Sequence, residues 1–168
     1  MKIIKNFLSK KKFEYIKKTL NDSRFPYYYQ KHFLKDTIKE YENLDFFFCH
    51  TLYDDIDKKQ NSDNIIIKEI LMPLLKKLKA ERIVRAKINL YTNTGKQIQS
   101  AYHIDNEKES VKVGIYCVNS NNGYTQFKTG EKAPSLENSM ILFNANELHK
   151  AVTQTDTKTR INININYS

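Results

Sequence analysis

Arg160-Ile161-Asn162-Ile163-Asn164-Ile165 is the stretch that decides the fold. Apolar and polar residues alternate with the period of a β-strand, so the isoleucines share one face and the cation and amides share the other. The isoleucine face should lie under covering helices. The arginine and asparagine face should line a polar cavity, because a dry core penalises polar groups that lack partners. Residues 82–91 repeat the pattern, with Ala86, Ile88 and Leu90 alternating with Arg85, Lys87, Asn89 and Tyr91.

Working outward from these two stretches, the period stays near 2 from Glu81 onward. Further strands are expected at 101–105, 112–119, 124–127, 139–143 and 149–152. Thr94-Gly95, Asn121-Asn122-Gly123, Gly130 and Ala145-Asn146 supply turns between them. The first half reads differently. Ser9 caps a helix whose apolar positions are Phe13, Ile16 and Leu20, and Asn21-Asp22-Ser23 ends it. An aromatic strand is expected at 46–52. A second helix starts at Ser62 or Asp63 and carries Ile66, Ile67, Ile70, Leu71, Leu74, Leu75 and Leu78 on one face, with a kink or restart at Pro73. The expected fold class is α+β, mainly β: a double-stranded β-helix (jelly roll) with N-terminal buttressing helices. Residues 1–168 are read as a single domain, with 1–80 its helical and aromatic section and 81–168 its jelly-roll core.

The bulk properties agree with one globular domain: 168 residues, 40% hydrophobic and 28% charged. No run approaches the roughly 20 apolar residues that cross a bilayer, and the N-terminal apolar stretch is too short for a secretory signal. The chain therefore reads as cytoplasmic, without a membrane partner. Cys49 and Cys117 lie far apart in apolar runs and read as small buried hydrophobes. The formal charge of +9 has two readings. It suits an anionic partner such as nucleic acid, and the abundance of Lys, Asn and Ile also suits an AT-rich coding sequence. The lysines are spread along the chain, with a local crowd at Lys10, Lys11, Lys12, Lys17 and Lys18.

The chemistry-bearing residues are His103 and Asp105, then His149, then Arg160. Residues i and i+2 of a strand share a face, so His103 and Asp105 present an imidazole and a carboxylate side by side. Two imidazoles and one carboxylate form a facial triad suited to Fe(II), with coordination positions left open. Arg160 follows on the next strand, where its fork can take a carboxylate in bidentate fashion. An H-x-D pair alone arises often by chance, and a lone histidine is more often a hydrogen-bonded core or surface residue. Four such residues in order, on expected strands with a polar inner face, carry more weight.

In these segments the chain resembles the 2-oxoglutarate/Fe(II)-dependent dioxygenases, the prolyl-hydroxylase-like branch and in particular its short phage-type members. The similar stretches are 85–91, Tyr102-His103-Ile104-Asp105-Asn106, Gly114-Ile115-Tyr116-Cys117-Val118-Asn119, 122–127, 138–143, Leu148-His149-Lys150-Ala151-Val152 and 160–164. The resemblance implies that His103, Asp105 and His149 bind Fe(II) and are the catalytic metal centre. It implies that Arg160 holds the distal carboxylate of 2-oxoglutarate, assisted by polar residues from Tyr91, Asn89, Tyr116 and Asn162. Tyr116 is the exposed point of that set, because a tyrosine of related enzymes falls at Cys117 and a shift of one residue changes face. Asn122-Gly123 stands where a double glycine is usual.

The implied reaction consumes 2-oxoglutarate and O2, releases succinate and CO2, and hydroxylates a substrate. A peptide or prolyl side chain agrees best with the branch; a nucleic acid or a free metabolite are the other classes. Tyr27, Tyr28, Tyr29, His32 and Phe33 could form a substrate lid, but Phe33, like Phe46, Phe47 and Phe48, reads rather as core, which leaves the tyrosines and His32 as the lid candidates. A non-catalytic module and a cupin-like enzyme with another metal are the competing readings. Oligomeric state is left open, and the compartment is the host cytoplasm if the chain is phage-encoded.

Overall fold

The computed structural model describes residues 1–31, 44–55 and 63–168. His32, Phe33 and Ser62 lie outside them. Among the described residues ten strands form two antiparallel sheets. They are β1 (Lys2–Ile4), β2 (Tyr28–Gln30), β3 (Phe47–Asp54), β4 (Ile83–Thr92), β5 (Lys112–Cys117), β6 (Asn121–Phe127), β7 (Lys132–Ser135), β8 (Ser139–Asn144), β9 (His149–Val152) and β10 (Thr159–Tyr167). The major sheet has the order β1-β8-β5-β10-β4-β3-β2 and the minor sheet β7-β6-β9. This is a jelly roll whose major sheet is extended by three strands from the N-terminal section. Besides the strand expected at 46–52, the N-terminal section supplies β1 and β2, which close the two edges of the major sheet.

Strand β10 lies at the centre, paired with β4 and β5. Ile161, Ile163 and Ile165 are buried against the helices, in one cluster with Ile16, Leu20, Leu71, Leu74, Ala86 and Ile88. Arg160, Asn162 and Asn164 point the other way, into the space between the sheets. Register explains the neighbours. Lys87 pairs with Asn164, Asn89 with Asn162 and Tyr91 with Arg160, so the polar face of β10 continues on β4. The space between the sheets is split. Val113, Ile115, Cys117, Phe127, Ile141 and Phe143 fill one part as an apolar cluster, and the β4–β10 side stays open and polar.

Helix α1 (Lys10–Leu20) begins where expected, with Ser9 Oγ accepting from the Lys12 amide. The second helical stretch is α2 (Asn64–Ile66), a π-helical segment (Ile67–Leu71) and α3 (Met72–Leu78). Asp63 occupies the N-cap position without a side-chain bond. Pro73 acts as anticipated. It has no amide hydrogen to continue the α ladder, and the turn before it widens so that the Met72 amide reaches Ile67 O, five residues back.

Two expectations require correction. Tyr116 does not face the inter-sheet space. On β5 its neighbours Ile115 and Cys117 face inward, so by strand parity Tyr116 faces the helices. It is fully buried beside Phe7, and its hydroxyl donates to Asn138 Oδ1 at 2.9 Å. Asn138 also brackets Leu8, accepting from its amide and donating to its carbonyl. Tyr116 is thus part of the tie between the N-terminal segment and the sheet. The second correction concerns 101–105, which is no regular strand. The chain makes only isolated bridges there, Gln99 to Val152 and His103 to His149. The Ala101 carbonyl instead faces His103 Nδ1.

Ile163 is fully buried at the centre of the helix-facing cluster. Ile163→Ala should cost about 2–5 kcal/mol of unfolding free energy, measured by urea denaturation. A loss under about 1 kcal/mol would mean that this face is not tightly packed.

Candidate metal centre and anion pocket

The metal-ligating atoms come from two elements that meet at one end of the sandwich. His149 opens β9, and His103 lies opposite it, each amide donating to the other's carbonyl at 2.9 and 3.0 Å. The same local device orients both rings. His103 Nδ1 lies 3.2 Å from Ala101 O, and His149 Nδ1 lies 2.8 Å from Glu147 O. In each case the carbonyl two residues earlier accepts the Nδ1 proton and leaves Nε2 as the free lone pair. Burial holds the His149 imidazole below its usual pKa, aided by the neighbouring His103 and opposed by hydrogen bonding to Glu147 and by the Asp105 charge. That direction suits a metal ligand, which binds through a neutral ring.

Asp105 completes the group. One donor atom from each of His103, Asp105 and His149 lies within 4.8 Å of the others, and Asp105 Oδ2 is 3.8 Å from His149 Nε2. The Asp105 side chain is only 3% exposed. Its Oδ1 accepts a bond of 2.8 Å from Arg85 Nη2, and Oδ2 accepts a long one of 3.5 Å from Asn164. One oxygen is thereby engaged by a guanidinium while the other faces the imidazoles. Two neutral nitrogens and a carboxylate oxygen fit a divalent first-row metal, Fe(II) among them.

From this end a cavity of about 310 Å³ runs between the sheets to Arg160. Asn89 Nδ2 donates to Asn162 Oδ1 at 3.2 Å midway. Burial raises the Tyr91 phenol pKa, while the Arg160 charge and a hydrogen bond with Asn162 pull it down. Arg160 is 1% exposed. Its Nε donates to Ser135 Oγ and its Nη1 to Val152 O, both at 3.3 Å, and its guanidinium sits 5.4 Å from the Tyr91 ring centre. Among the described residues it has no carboxylate partner. A buried cation without a counter-charge is costly, and this one lines a cavity large enough for a small acid.

Gly123 makes room for it. A Cβ built there would stand 2.9 Å from Arg160 Cδ, 3.0 Å from Val152 O and 2.8 Å from Asn121 Oδ1. Neither Asn122 nor Gly123 has positive φ. Glycine is needed here for close approach to Arg160, not for a left-handed backbone.

No protein-family model matches the sequence, and no curated protein sequence matches it significantly. Solved structures do. A prolyl hydroxylase from Trichoplax adhaerens, in complex with a hypoxia inducible factor oxygen degradation domain peptide fragment, is 14% identical. It aligns with a TM-score of 0.66 over 99% of this chain and 82% of that one. An oxidoreductase of the 2OG-Fe(II) oxygenase family from Burkholderia pseudomallei is 12% identical, with a TM-score of 0.64 over 99% of this chain and 84% of that one. The non-heme alpha ketoglutarate dependent carbocyclase SnoK from nogalamycin biosynthesis is 10% identical, with a TM-score of 0.65 over 98% and 78%. The chain has the fold of the 2OG-Fe(II) oxygenases.

On this oxygenase fold the structure brings together His103, Asp105, His149, Arg160, Tyr91, Asn89 and Asn162, and leaves out Tyr116. It adds wall residues that pattern reading passed over. Arg85 and Lys87 were legible as polar positions of β4, but Arg85's bond to Asp105 was not. Phe47, expected in the core, lines the cavity and stacks on Tyr91 at 5.6 Å. Its parity on β3, one residue from Phe48, was the available signal. Ser135 comes from β7, a strand whose Lys-Ala-Pro-Ser sequence carries little β signature. Tyr27 donates its hydroxyl to Leu20 O, Tyr29 packs with Phe46 and Phe48, and Tyr28 lines a groove with Gln30, Cys49 and Thr51 at the sheet edge.

If Gly123 exists to admit Arg160, Gly123→Ala should cost about 1–3 kcal/mol through overpacking. The cost should be smaller in an Arg160→Ala background, where Cδ is gone. Thermal melts of the two single variants and the double variant measure the coupling; strict additivity would contradict the assignment.

Proposed function

We propose that the protein is a 2-oxoglutarate- and Fe(II)-dependent oxygenase that hydroxylates an organic substrate. The observation that carries this reading is Arg160: a buried guanidinium with no carboxylate partner among the described residues, on the wall of the cavity that His103, Asp105 and His149 also line. A metal group alone would suit a cupin-like enzyme or a binding module. Neither of those gives the buried cation a task.

In this reading His103 and His149 present Nε2 and Asp105 presents a carboxylate oxygen to the metal. Arg85 steadies that carboxylate from its other oxygen. Arg160 binds the distal carboxylate of 2-oxoglutarate, and Tyr91 packs over the guanidinium. Asn89 and Asn162 offer amide groups along the length of the co-substrate. The buried walls restrict water around the reacting groups, so each charge-assisted bond acts in a low dielectric. Bound at the triad, Fe(II) supplies the O2 chemistry that couples decarboxylation of 2-oxoglutarate to succinate with hydroxylation of the substrate. Residues 1–168 act as one catalytic domain in the cytoplasm.

For the substrate, a peptide or prolyl-type side chain is favoured, on likeness to a prolyl hydroxylase bound to a peptide. A nucleic acid is the second reading, motivated by the charge of +9 and by the exposed Tyr28 and Tyr29. Among the described residues no helix is long and apolar enough to cross a membrane. Nucleic-acid binding should weaken steeply with added salt; binding that ignores salt, or none, removes that option.

His103→Ala should abolish 2-oxoglutarate-dependent succinate formation, and unchanged formation would refute the assignment. Arg160→Ala should weaken 2-oxoglutarate binding by about 2–5 kcal/mol, read by calorimetry on Mn(II)-loaded protein. Mn(II) affinity itself should stay near wild type.

A further inference from the structure

Charge in the cavity does not balance once the proposed occupants are counted. Among the described residues four formally charged ones line it, apart from the two histidines: Arg85, Lys87, Asp105 and Arg160. On the oxygenase reading, on which this inference rests, a divalent metal and Asp105 leave one positive charge. A 2-oxoglutarate dianion and Arg160 leave one negative charge. These cancel, and the cations of Arg85 and Lys87 remain. Arg85 is bonded to Asp105, whereas Lys87 has no carboxylate partner among the described residues.

The position of Lys87 gives its charge a direction. It lies two residues from Arg85 on the cavity face of β4, opposite Asn164 on β10 and opposite Thr51 on β3. Cys49 and Thr51 form, with Tyr28 and Gln30, the groove that runs to the sheet edge at β2. Lys87 also acts on the Cys49 thiol, pulling its pKa down against the larger effect of burial. Lys87 therefore lines the cavity next to Thr51, a groove residue, near Arg85 and away from Arg160, which pairs with Tyr91 four residues further along β4. A neutral or cationic substrate entering there would meet two cations with their charge uncompensated. An anionic group would neutralise them in a partly desolvated setting, where charge complementarity discriminates most strongly.

We infer that the substrate carries an oxyanion, a carboxylate or a phosphate, and that Lys87 is the specificity-determining residue that receives it. An acidic side chain beside the hydroxylated position of a peptide supplies such a group, and so does a phosphoryl group. The shared chemistry is an oxyanion accepting hydrogen bonds from an ammonium.

The test uses the full chain loaded with diamagnetic Zn(II) and 2-oxoglutarate, so that Arg160 is occupied. Sodium acetate and inorganic phosphate are titrated separately, and amide shifts of Cys49, Thr51 and Lys87 are followed by NMR. Saturable shifts are expected for at least one anion. Lys87→Met should weaken that binding about tenfold, the scale of one charge-assisted hydrogen bond, and Lys87→Arg should largely retain it. Lys112→Met, at the exposed first position of β5, should change nothing. A response to acetate assigns a carboxylate and a response to phosphate assigns a phosphoryl group; either supports the inference. Anion binding that is absent in wild type, or equal in wild type and Lys87→Met, overturns it while 2-oxoglutarate binding persists. Failure of the wild-type protein to bind 2-oxoglutarate is a different result, and it overturns the oxygenase reading together with this inference.

Discussion

Strand β10 has to satisfy two unlike environments at once. Each of Ile161, Ile163 and Ile165 gains about 1.5–3 kcal/mol by burial under the helices, and that gain holds the strand in register at the centre of the major sheet. The same register leaves Arg160, Asn162 and Asn164 no choice but the space between the sheets. A slip of one residue would put an arginine into the helix-facing core and the isoleucines into the cavity. The polar interior is thus a consequence of the strongest apolar face in the molecule.

The remaining parts of the site follow from that placement. Strand β4 pairs with β10 so that Tyr91, Asn89 and Lys87 extend the polar face row by row. Gly123 on β6 yields the volume that Arg160 occupies. The minor sheet brings His149 and the irregular segment bearing His103 and Asp105 to the open end. There each ring is aimed by the carbonyl two residues before it. A regular strand at 101–105 would have committed the Ala101 carbonyl to a ladder. Interrupting the strand frees that carbonyl to choose the tautomer, so the local irregularity serves the chemistry.

The arginines on β4 and β10 have opposite situations. Arg85 shares its charge with Asp105 at 2.8 Å and is partly open to solvent. Arg160 is enclosed, and among the described residues its guanidinium meets a hydroxyl, a carbonyl and a ring face and no carboxylate. A protein tolerates such a site where an anion joins it or where other interactions offset the cost, and the cavity beside Arg160 favours the first explanation.

Much of this was legible in the sequence because period is a local property. The alternation in 160–165 and 85–91, the Ser9 cap and the helix interruption at Pro73 depend on neighbours a few residues away. The order His103, Asp105, His149, Arg160 could be read as a set from its residue types and the polar face of β10, although 101–105 is not the regular strand that the alternation of His103 and Asp105 implied. What sequence could not supply was any fact depending on which strand lies beside which. Tyr116 and Cys117 differ by one step of parity, and only the pairing of β5 with β10 decides which faces the cavity. The Arg85–Asp105 bond, the entry of Phe47 into the cavity wall and the pressure of Arg160 on Gly123 join residues far apart in the chain. Sequence by itself determined the faces of the strands and the chemical kinds of group available. Tertiary structure decided which groups meet, because contact between distant residues is set by the register and stacking of two sheets, and neither is written in local periodicity.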